Sequence, residues 1–183
     1  QDYILQSGAR IFSANNVVDT EYDAIKGAPT LKEVSIEDLL PRDEICVDLE
    51  SVAESLRGKR ILITGSAGSI GSEIVRQVAS FAPSKMMLID SAETPQHDIR
   101  RMMAHDFPSV PCATVVTSIT KADRMENIFK TFLPEYVFHA AAYKHVPMME
   151  DNTCESIQNN VLGTKILADL SVKYGVRRFV MVS

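Results

Sequence analysis

The stretch KRILITGSAGSIGSEIV, residues 59–75, decides the fold of this 183-residue chain. Its first part, KRILIT at 59–64, is a short apolar run that predicts a buried β-strand. From residue 69 to residue 82 the apolar residues recur at helical spacing, and one face is formed by Ile70, Ile74, Val75 and Val78. The stretch therefore predicts a strand that is followed, after a short loop, by an amphipathic helix.

Three glycines lie in that loop at G-x-x-G-x-x-G spacing: Gly65, Gly68 and Gly71. In a dinucleotide-binding loop, one glycine makes a tight turn, one lets a phosphate approach the backbone, and one lets the helix pack closely on the strand. The helix N-terminus then offers free N–H groups and the positive end of its dipole to a pyrophosphate. No Lys-Ser or Lys-Thr pair follows the last glycine, which argues against a nucleoside-triphosphate loop.

Strands and helices alternate along the rest of the chain. The patterns predict further strands at 85–90, 112–118, 135–140 and 177–183, and further helices at 93–107, 121–133 and 154–174. Such alternation favours right-handed βαβ units in a parallel sheet. The sequence thus predicts an α/β fold with a doubly wound, Rossmann-type sheet that is incomplete at its C-terminus.

The first 57 residues lack this alternation. Residues 9–16 are a candidate strand, residues 35–44 a short helix stopped by Pro41, and residues 48–57 a helix with Asp48 as a possible cap. We expect residues 1–57 to be the remnant of a preceding domain with a helical connector. Residues 58–183 are then the N-terminal part of an NAD(P)-binding Rossmann domain.

Asp90 ends the second strand of the predicted sheet, roughly 20–25 residues after the glycine loop, where an acidic residue holds the adenosine ribose of a dinucleotide. A carboxylate there repels a 2′-phosphate, so NAD is expected as the cofactor and NADP is disfavoured. The alternative is an ordinary glycine turn in an α/β sheet, with Asp90 serving as a helix cap.

The composition excludes several classes of protein. The net charge is −5 with acids and bases intermixed, which argues against a nucleic-acid surface. No apolar run is long enough to span a membrane, so we expect no membrane contact. The cysteines Cys46, Cys112 and Cys154 are odd in number and without metal-ligand spacing. We therefore expect no metal site, no disulfide framework and a cytoplasmic location.

Three longer segments carry a resemblance to a known family. LRGKRILITGSAGSIGSEIVRQ (56–77), VFHAAAYKHVPMMEDN (137–152) and IQNNVLGTKILADLSVKYGVRRFVMVS (157–183) resemble the CapD-like nucleotide-sugar 4,6-dehydratases of bacterial polysaccharide biosynthesis. These belong to the extended short-chain dehydrogenase/reductase superfamily, and AAAYKHVP (140–147) is the most specific segment. Residues 35–52 resemble the connector before the catalytic domain of long, membrane-anchored members.

The resemblance implies a reaction on UDP-N-acetylglucosamine or a similar UDP-sugar. Hydride passes from C4 of the sugar to NAD(P)⁺, water is lost across C5 and C6, and hydride returns to C6. The product is a 4-keto-6-deoxy sugar. The resemblance also implies a homo-oligomeric full-length protein, anchored to the inner membrane with its catalytic domain in the cytoplasm.

Family roles can be carried onto matching positions of this chain. Gly65, Ser66, Gly68, Ser69, Ile70 and Gly71 would hold the pyrophosphate, and Asp90 the ribose. Ala140, Ala141 and Ala142 would line the nicotinamide side, with Asn160, Val182 and Ser183 near it. Lys144 and His145 would face the sugar nucleotide. Ser118 and Ile119 match the adenine side, although Thr117-Ser118-Ile119 stands where the family usually has Gly-Asp-Ile.

The two ends of the chain bear on catalysis. The chain starts at Gln1 without a methionine and ends in the strand-like RRFVMVS, so we interpret it as a fragment. The family's catalytic Asp and Lys follow the serine matched by Ser183, so we expect no catalytic residue within the chain and no turnover by it alone. A UDP-sugar 4-epimerase and a non-catalytic NAD-binding sensor are the alternatives.

Overall fold

The computed structural model describes the backbone of residues 12–14 and 31–33, and residues 48–182. Contacts divide the chain into two compact units, Gln1–Val47 and Asp48–Ser183. In the first unit, strand β1 (Phe12–Ala14) pairs antiparallel with β2 (Leu31–Glu33). β1 lies within the candidate strand at 9–16, whereas the helix expected at 35–44 falls outside the described residues.

The second unit contains a five-stranded parallel sheet, which confirms the predicted fold class. Its strands lie in the order β5-β4-β3-β6-β7 and have the bounds β3 (Arg60–Thr64), β4 (Lys85–Asp90), β5 (Cys112–Val116), β6 (Tyr136–His139) and β7 (Arg178–Met181). The strand order reverses at β3, since β4 and β6 lie on its two sides. Ligands of such sheets bind at this reversal, outside the carboxyl ends of the strands.

Helices connect the strands and cover both faces of the sheet. They are α1 (Leu49–Leu56), α2 (Ser69–Ser80), α3 (Glu93–Asp106), α4 (Ala122–Phe132), α5 (Val146–Asp151), α6 (Thr153–Ser156) and α7 (Thr164–Lys173). Asp48 caps α1, as expected, by accepting the Ser51 N–H at 3.1 Å. The second unit begins at Asp48 and therefore contains α1. The sequence suggests a domain boundary ten residues later, at residue 58.

Residues 154–173 are helical, as the sequence predicts, but they do not form one continuous α-helix. Between α6 and α7, residues Ile157–Gly163 form a π-helical segment. π-Helical turns are rare and frequently lie at functional sites. The short helix α5, which has no buried residue, was not predicted. None of the helices in the described parts of the chain is long and apolar enough to cross a membrane.

Two hydrophobic clusters hold the sheet between its helices. β3 contributes to both because its side chains alternate: Ile61 and Ile63 face α2 and α3, whereas Leu62 faces α4 and α7. The first cluster also contains Val75, Met86 and Leu88, and the second contains Ile89, Phe129 and Leu167. Burial on both faces explains why the central strands β3, β4 and β6 appear in the sequence as continuous apolar runs.

Candidate functional site

Two of the three loop glycines are required by close backbone contacts. Gly65 has φ +70°, and a Cβ on it would lie 2.6 Å from the backbone C and O of Ala140. A Cβ on Gly71 would lie 1.8 Å from the carbonyl oxygen of Gly65. Gly68 has room for a Cβ, which would lie 3.4 Å from the same oxygen. Gly65 therefore makes the tight turn and Gly71 the close helix packing, and the exposed Gly68 leaves the loop open to a ligand.

The N-terminus of α2 has no side-chain cap. Its N-cap is Gly68, and the first helical bond runs from the Ser72 N–H to the Gly68 oxygen at 2.8 Å. The N–H groups of Ser69, Ile70 and Gly71 precede that bond, and such groups have no partner within a helix. With no acidic residue in its first turn, α2 presents its positive dipole end uncompensated. This end suits a pyrophosphate.

Asp90 fastens the glycine loop to the end of β4. Its Oδ2 accepts the Ala67 N–H at 2.9 Å and its Oδ1 accepts the Ala92 N–H at 2.9 Å. A carboxylate oxygen can accept more than one hydrogen bond, so these two bonds leave capacity for ribose hydroxyls. Ser66 faces the other way, because its buried hydroxyl donates to Gln96 Oε1 at 2.8 Å. The Ser66 side chain therefore lies inside the fold and not against a phosphate.

A cleft of about 460 Å³ lies at the carboxyl end of the sheet, where the strand order reverses. Its lining includes many of the residues that the sequence suggested: Gly65, Gly68, Asp90, Ser118, Ile119, Ala140, Ala141, Ala142 and His145. It also includes residues that the sequence did not suggest, among them Ala67, Ser91, Ala92, Pro95, Thr117, Tyr143 and Asn159. The structure thus brings the glycine loop, Asp90 and the alanine segment together around one space.

The expected adenine side of the cleft follows β5. Ser118 Oγ lies 2.8 Å from Thr120 Oγ1 and accepts the Thr120 N–H at 3.2 Å. Ile119 is buried and packs on Gly163 of the π-helical segment, where an added Cβ would lie 2.6 Å from Ile119 Cδ1. The turn at 117–120 is therefore fixed by its own hydroxyls and by the segment behind it.

Two asparagines of the π-helical segment bond the backbone of residues 141–143 beside the cleft. Asn160 pairs with the backbone of Tyr143: its Oδ1 accepts the N–H and its Nδ2 donates to the carbonyl oxygen, both at 2.9 Å. Asn159 Nδ2 donates to the Ala141 carbonyl oxygen at 3.3 Å. Asn160 thus braces the backbone beside the cleft, whereas Asn159 lines the cleft itself.

His139 is a buried residue that the sequence analysis did not single out. Its Nδ1 lies 2.8 Å from Thr64 Oγ1 and its Nε2 lies 2.8 Å from Thr164 Oγ1. The ring therefore joins the ends of β3 and β6 to the start of α7. Removal from solvent lowers the pKa of His139 below its ordinary value, since burial disfavours the charged imidazolium.

Lys144 and His145 occupy the outer rim. Both side chains are exposed, and Lys144 Nζ lies 3.4 Å from Ser69 Oγ, a long contact. Lys144 lines a neighbouring cavity of about 450 Å³, and His145 lines both this cavity and the cleft. Val182 continues the pairing of β7 with β6 through its N–H to the His139 oxygen at 3.0 Å. Ser183 lies outside the described residues.

The structure also bears on cysteines and metals. Cys112 and Cys154 are free, and burial raises the pKa of the Cys112 thiol to about 11. Within the described ranges, no three His, Cys, Asp or Glu side chains lie close enough together to hold a metal ion. The cleft offers backbone N–H groups, the Asp90 carboxylate, small apolar side chains and the polar side chains of Ser118, His145 and Asn159.

Comparison with known proteins assigns the family. A family model described as "polysaccharide biosynthesis protein" matches residues 61–183, which is more than half of the chain. The chain belongs to this polysaccharide biosynthesis family. It is also 37% identical to the capsular polysaccharide biosynthesis protein CapD of Staphylococcus aureus, over 96% of this chain and 29% of that protein. The resemblance to CapD-like proteins is thereby confirmed.

Nucleotide-sugar enzymes are among the similar proteins. An inverting UDP-N-acetylglucosamine 4,6-dehydratase of Campylobacter jejuni is 29% identical over 69% of this chain and 36% of its own length. The structure of WbmG from Bordetella bronchiseptica in complex with NAD and UDP is 29% identical, with a TM-score of 0.56, over 66% of this chain and 36% of that one. Nucleotide-sugar 4-epimerases are similar as well. The chain spans less than a third of the length of CapD.

Proposed function

We propose that this chain is the cofactor-binding half of an NAD-dependent nucleotide-sugar 4,6-dehydratase acting on UDP-N-acetylglucosamine or a similar UDP-sugar. The observation that carries the proposal is the cleft, where the uncapped N-terminus of α2, Asp90 and Ala140–Ala142 surround one space. Membership of the polysaccharide biosynthesis family supports it, as does similarity to a UDP-N-acetylglucosamine 4,6-dehydratase.

The residues of the cleft fit a dinucleotide. The N–H groups at the start of α2 would bind the pyrophosphate, and the carboxylate of Asp90 would accept hydrogen bonds from the adenosine ribose. The small side chains of Ala140–Ala142 line the cleft and would face the nicotinamide, and we expect Val182 and Ser183 to lie near it because they match the family's positions there. The negative charge of Asp90 favours NAD over NADP, because it would repel a 2′-phosphate.

Substrate contacts are expected at the rim. Lys144 and His145 would face the sugar nucleotide, since they border a second cavity that adjoins the cleft. When bound, NAD supplies the acceptor and donor of hydride. We expect no acid–base residue for the sugar among these 183 residues, so the chain alone should bind cofactor without turnover. In its full-length form we expect a homo-oligomer, anchored to the inner membrane with its catalytic domain in the cytoplasm.

Two measurements test the proposal. Calorimetric titration should show that the chain binds NAD more tightly than NADP, and Asp90→Ala should weaken NAD binding. The longer protein that carries this chain should convert UDP-N-acetylglucosamine to a 4-keto product that has lost water, as detected by mass spectrometry. A 4-keto product formed by the chain alone would contradict the assignment of the acid–base residues.

A UDP-sugar 4-epimerase is the second candidate, because 4-epimerases are among the similar proteins and share the fold. An epimerase retains water and inverts C4, so the product has the mass of the substrate. A non-catalytic NAD-binding sensor would yield neither product while still binding NAD. The same incubation, analysed by mass spectrometry and by NMR of the sugar protons, separates the three functions.

A further inference from the structure

The roles described for the cleft residues do not explain one buried residue next to the site, Gln96. It lies in the first turns of α3, where Glu93, Thr94 and Pro95 before it are exposed. The Gln96 side chain is nevertheless only 1% exposed. A long amide is rarely buried to this extent unless both its donor and its acceptor are satisfied.

Both ends of the Gln96 amide are paired. Nε2 donates to the carbonyl oxygen of Leu88 at 2.8 Å, and Oε1 accepts the hydroxyl hydrogen of Ser66 at 2.8 Å. Ser66 is itself fully buried and is the second residue of the glycine loop. The amide therefore joins β4 and α3 to the loop, across 30 residues of sequence.

The glycine loop has little freedom on either side of Ser66. The Gly65 N–H donates to the Ile89 oxygen at 2.8 Å, and the Ala67 N–H donates to Asp90 Oδ2 at 2.9 Å. The Cα of Gly71 lies so close to the Gly65 oxygen that no side chain fits between them. A shift of Ser66 is therefore passed directly to the backbone that leads into α2.

We infer that Gln96 is a positioning residue for the pyrophosphate of a bound dinucleotide, acting through Ser66. This rests on the proposed function, because it takes the cleft to be a dinucleotide site. Gln96 is absent from the cleft lining, so it can act on a ligand only through the residues that it contacts, of which Ser66 lies in the glycine loop. The adenosine end would be held from Asp90 and Ser118, which the Gln96 amide does not contact, so we expect its binding to depend less on the Ser66–Gln96 pair.

The experiment compares three ligands on ligand-free protein by calorimetry: NAD, ADP and adenosine. The variants are Ser66→Ala, Gln96→Met and the double variant, which removes both partners of the Ser66–Gln96 bond; Gln96→Met also removes the donor to the Leu88 carbonyl oxygen. Gln77→Met is the matched control, since Gln77 is an exposed glutamine of α2 that bonds Glu73. Thermal unfolding of each variant accompanies the titrations.

We expect NAD and ADP to bind about five- to tenfold more weakly to the double variant, as for loss of one well-formed hydrogen bond. Adenosine binding should change less than about twofold, and Gln77→Met should match the parent for all three ligands. If Gln96→Met does not fold, Ser66→Ala, which loses only one hydroxyl group, decides the question by the same comparison.

Two results overturn the inference while leaving the proposed function intact. One is unchanged NAD affinity in a folded double variant. The other is an equal loss for adenosine and for NAD, which marks Gln96 as a general support of the fold. A parent protein that binds neither NAD nor ADP overturns the proposed function, and the inference falls with it.

Discussion

Acid should destabilise the fold through His139. The unfolded chain protonates a histidine with an ordinary pKa of about 6.5, whereas burial lowers the pKa of His139 in the folded chain. Between these two values the unfolded state holds more protons, so the free energy of unfolding falls as the pH falls. Above about pH 7.5 this residue is neutral in both states and contributes no pH dependence.

The size of the effect follows from one proton. The slope reaches at most about 1.4 kcal/mol per pH unit, so a change from pH 7.5 to 5.5 removes no more than about 1.4 kcal/mol. For a chain of this length, that corresponds to a fall in Tm of roughly 3–6 °C. Carboxylates affect the free energy of unfolding only at lower pH. Hydrogen bonds from Lys173 and Tyr174, for example, lower the pKa of Glu126 below its ordinary value.

The assay is thermal unfolding, followed by circular dichroism at half-unit steps between pH 8 and pH 5. The parent should lose stability below about pH 6.5, and His139→Gln should be less stable overall but nearly flat across this range. His97→Gln, which changes an exposed histidine of α3, should keep the slope of the parent. An identical slope in His139→Gln and the parent would refute the assignment of the transition to His139.

Other changes test the walls of the cleft. Gly71→Ala should cost about 1–3 kcal/mol of unfolding free energy through overpacking and abolish NAD binding in calorimetry, whereas Gly68→Ala should fold like the parent. Asp90→Asn should lower the ratio of the NADP to the NAD dissociation constant, because it removes the charge that repels a 2′-phosphate; an unchanged ratio would contradict that role. Asn160→Ala should lose about 0.5–1.5 kcal/mol in urea unfolding, since it removes two exposed hydrogen bonds to the Tyr143 backbone, and Gln158→Ala, an exposed neighbour, should lose little.

The parallel sheet could be predicted from sequence because its central strands β3, β4 and β6 are buried on both faces. Ile61, Leu62 and Ile63 are all buried, so β3 appears in the sequence as an unbroken apolar run and not as an alternation. The α2 helix could be predicted for the opposite reason, since only one of its faces is buried. Its start at Ser69 agrees with the structure because the glycine loop fixes it.

The π-helical segment could not be predicted in the same way. Over seven residues, a period of 3.6 and a wider π turn give nearly the same apolar pattern. The segment is held by tertiary contacts: Asn159 and Asn160 bond the alanine segment, and Gly163 packs on Ile119. Helix α5 was missed because it has only six residues, with Pro147 near its start, and its apolar side chains Val146 and Met148 are exposed.

The polar residues behind the cleft were missed because their partners are distant in sequence. Gln96 stands among exposed polar residues, and its burial depends on Ser66, 30 residues earlier. His139 bonds Thr64 across 75 residues. Asp90 was easier to find, since its position at the end of a strand is a local signal. The N–H groups that it accepts, on Ala67 and Ala92, lie before the first residues of α2 and α3, and neither helix has a side-chain cap.

The two hydrophobic clusters lie on opposite faces of the sheet, and they share no helix. We expect each face to open locally without the other, in the manner of separate cooperative units. The cleft borders both layers: Pro95 comes from the α3 side, and Ile119 and Asn159 from the α4–α7 side. If a ligand binds in the cleft only when both layers are closed, the opening of one layer becomes coupled to the opening of the other. Cofactor binding would then couple the two faces of the sheet, so that they open as one cooperative unit instead of two.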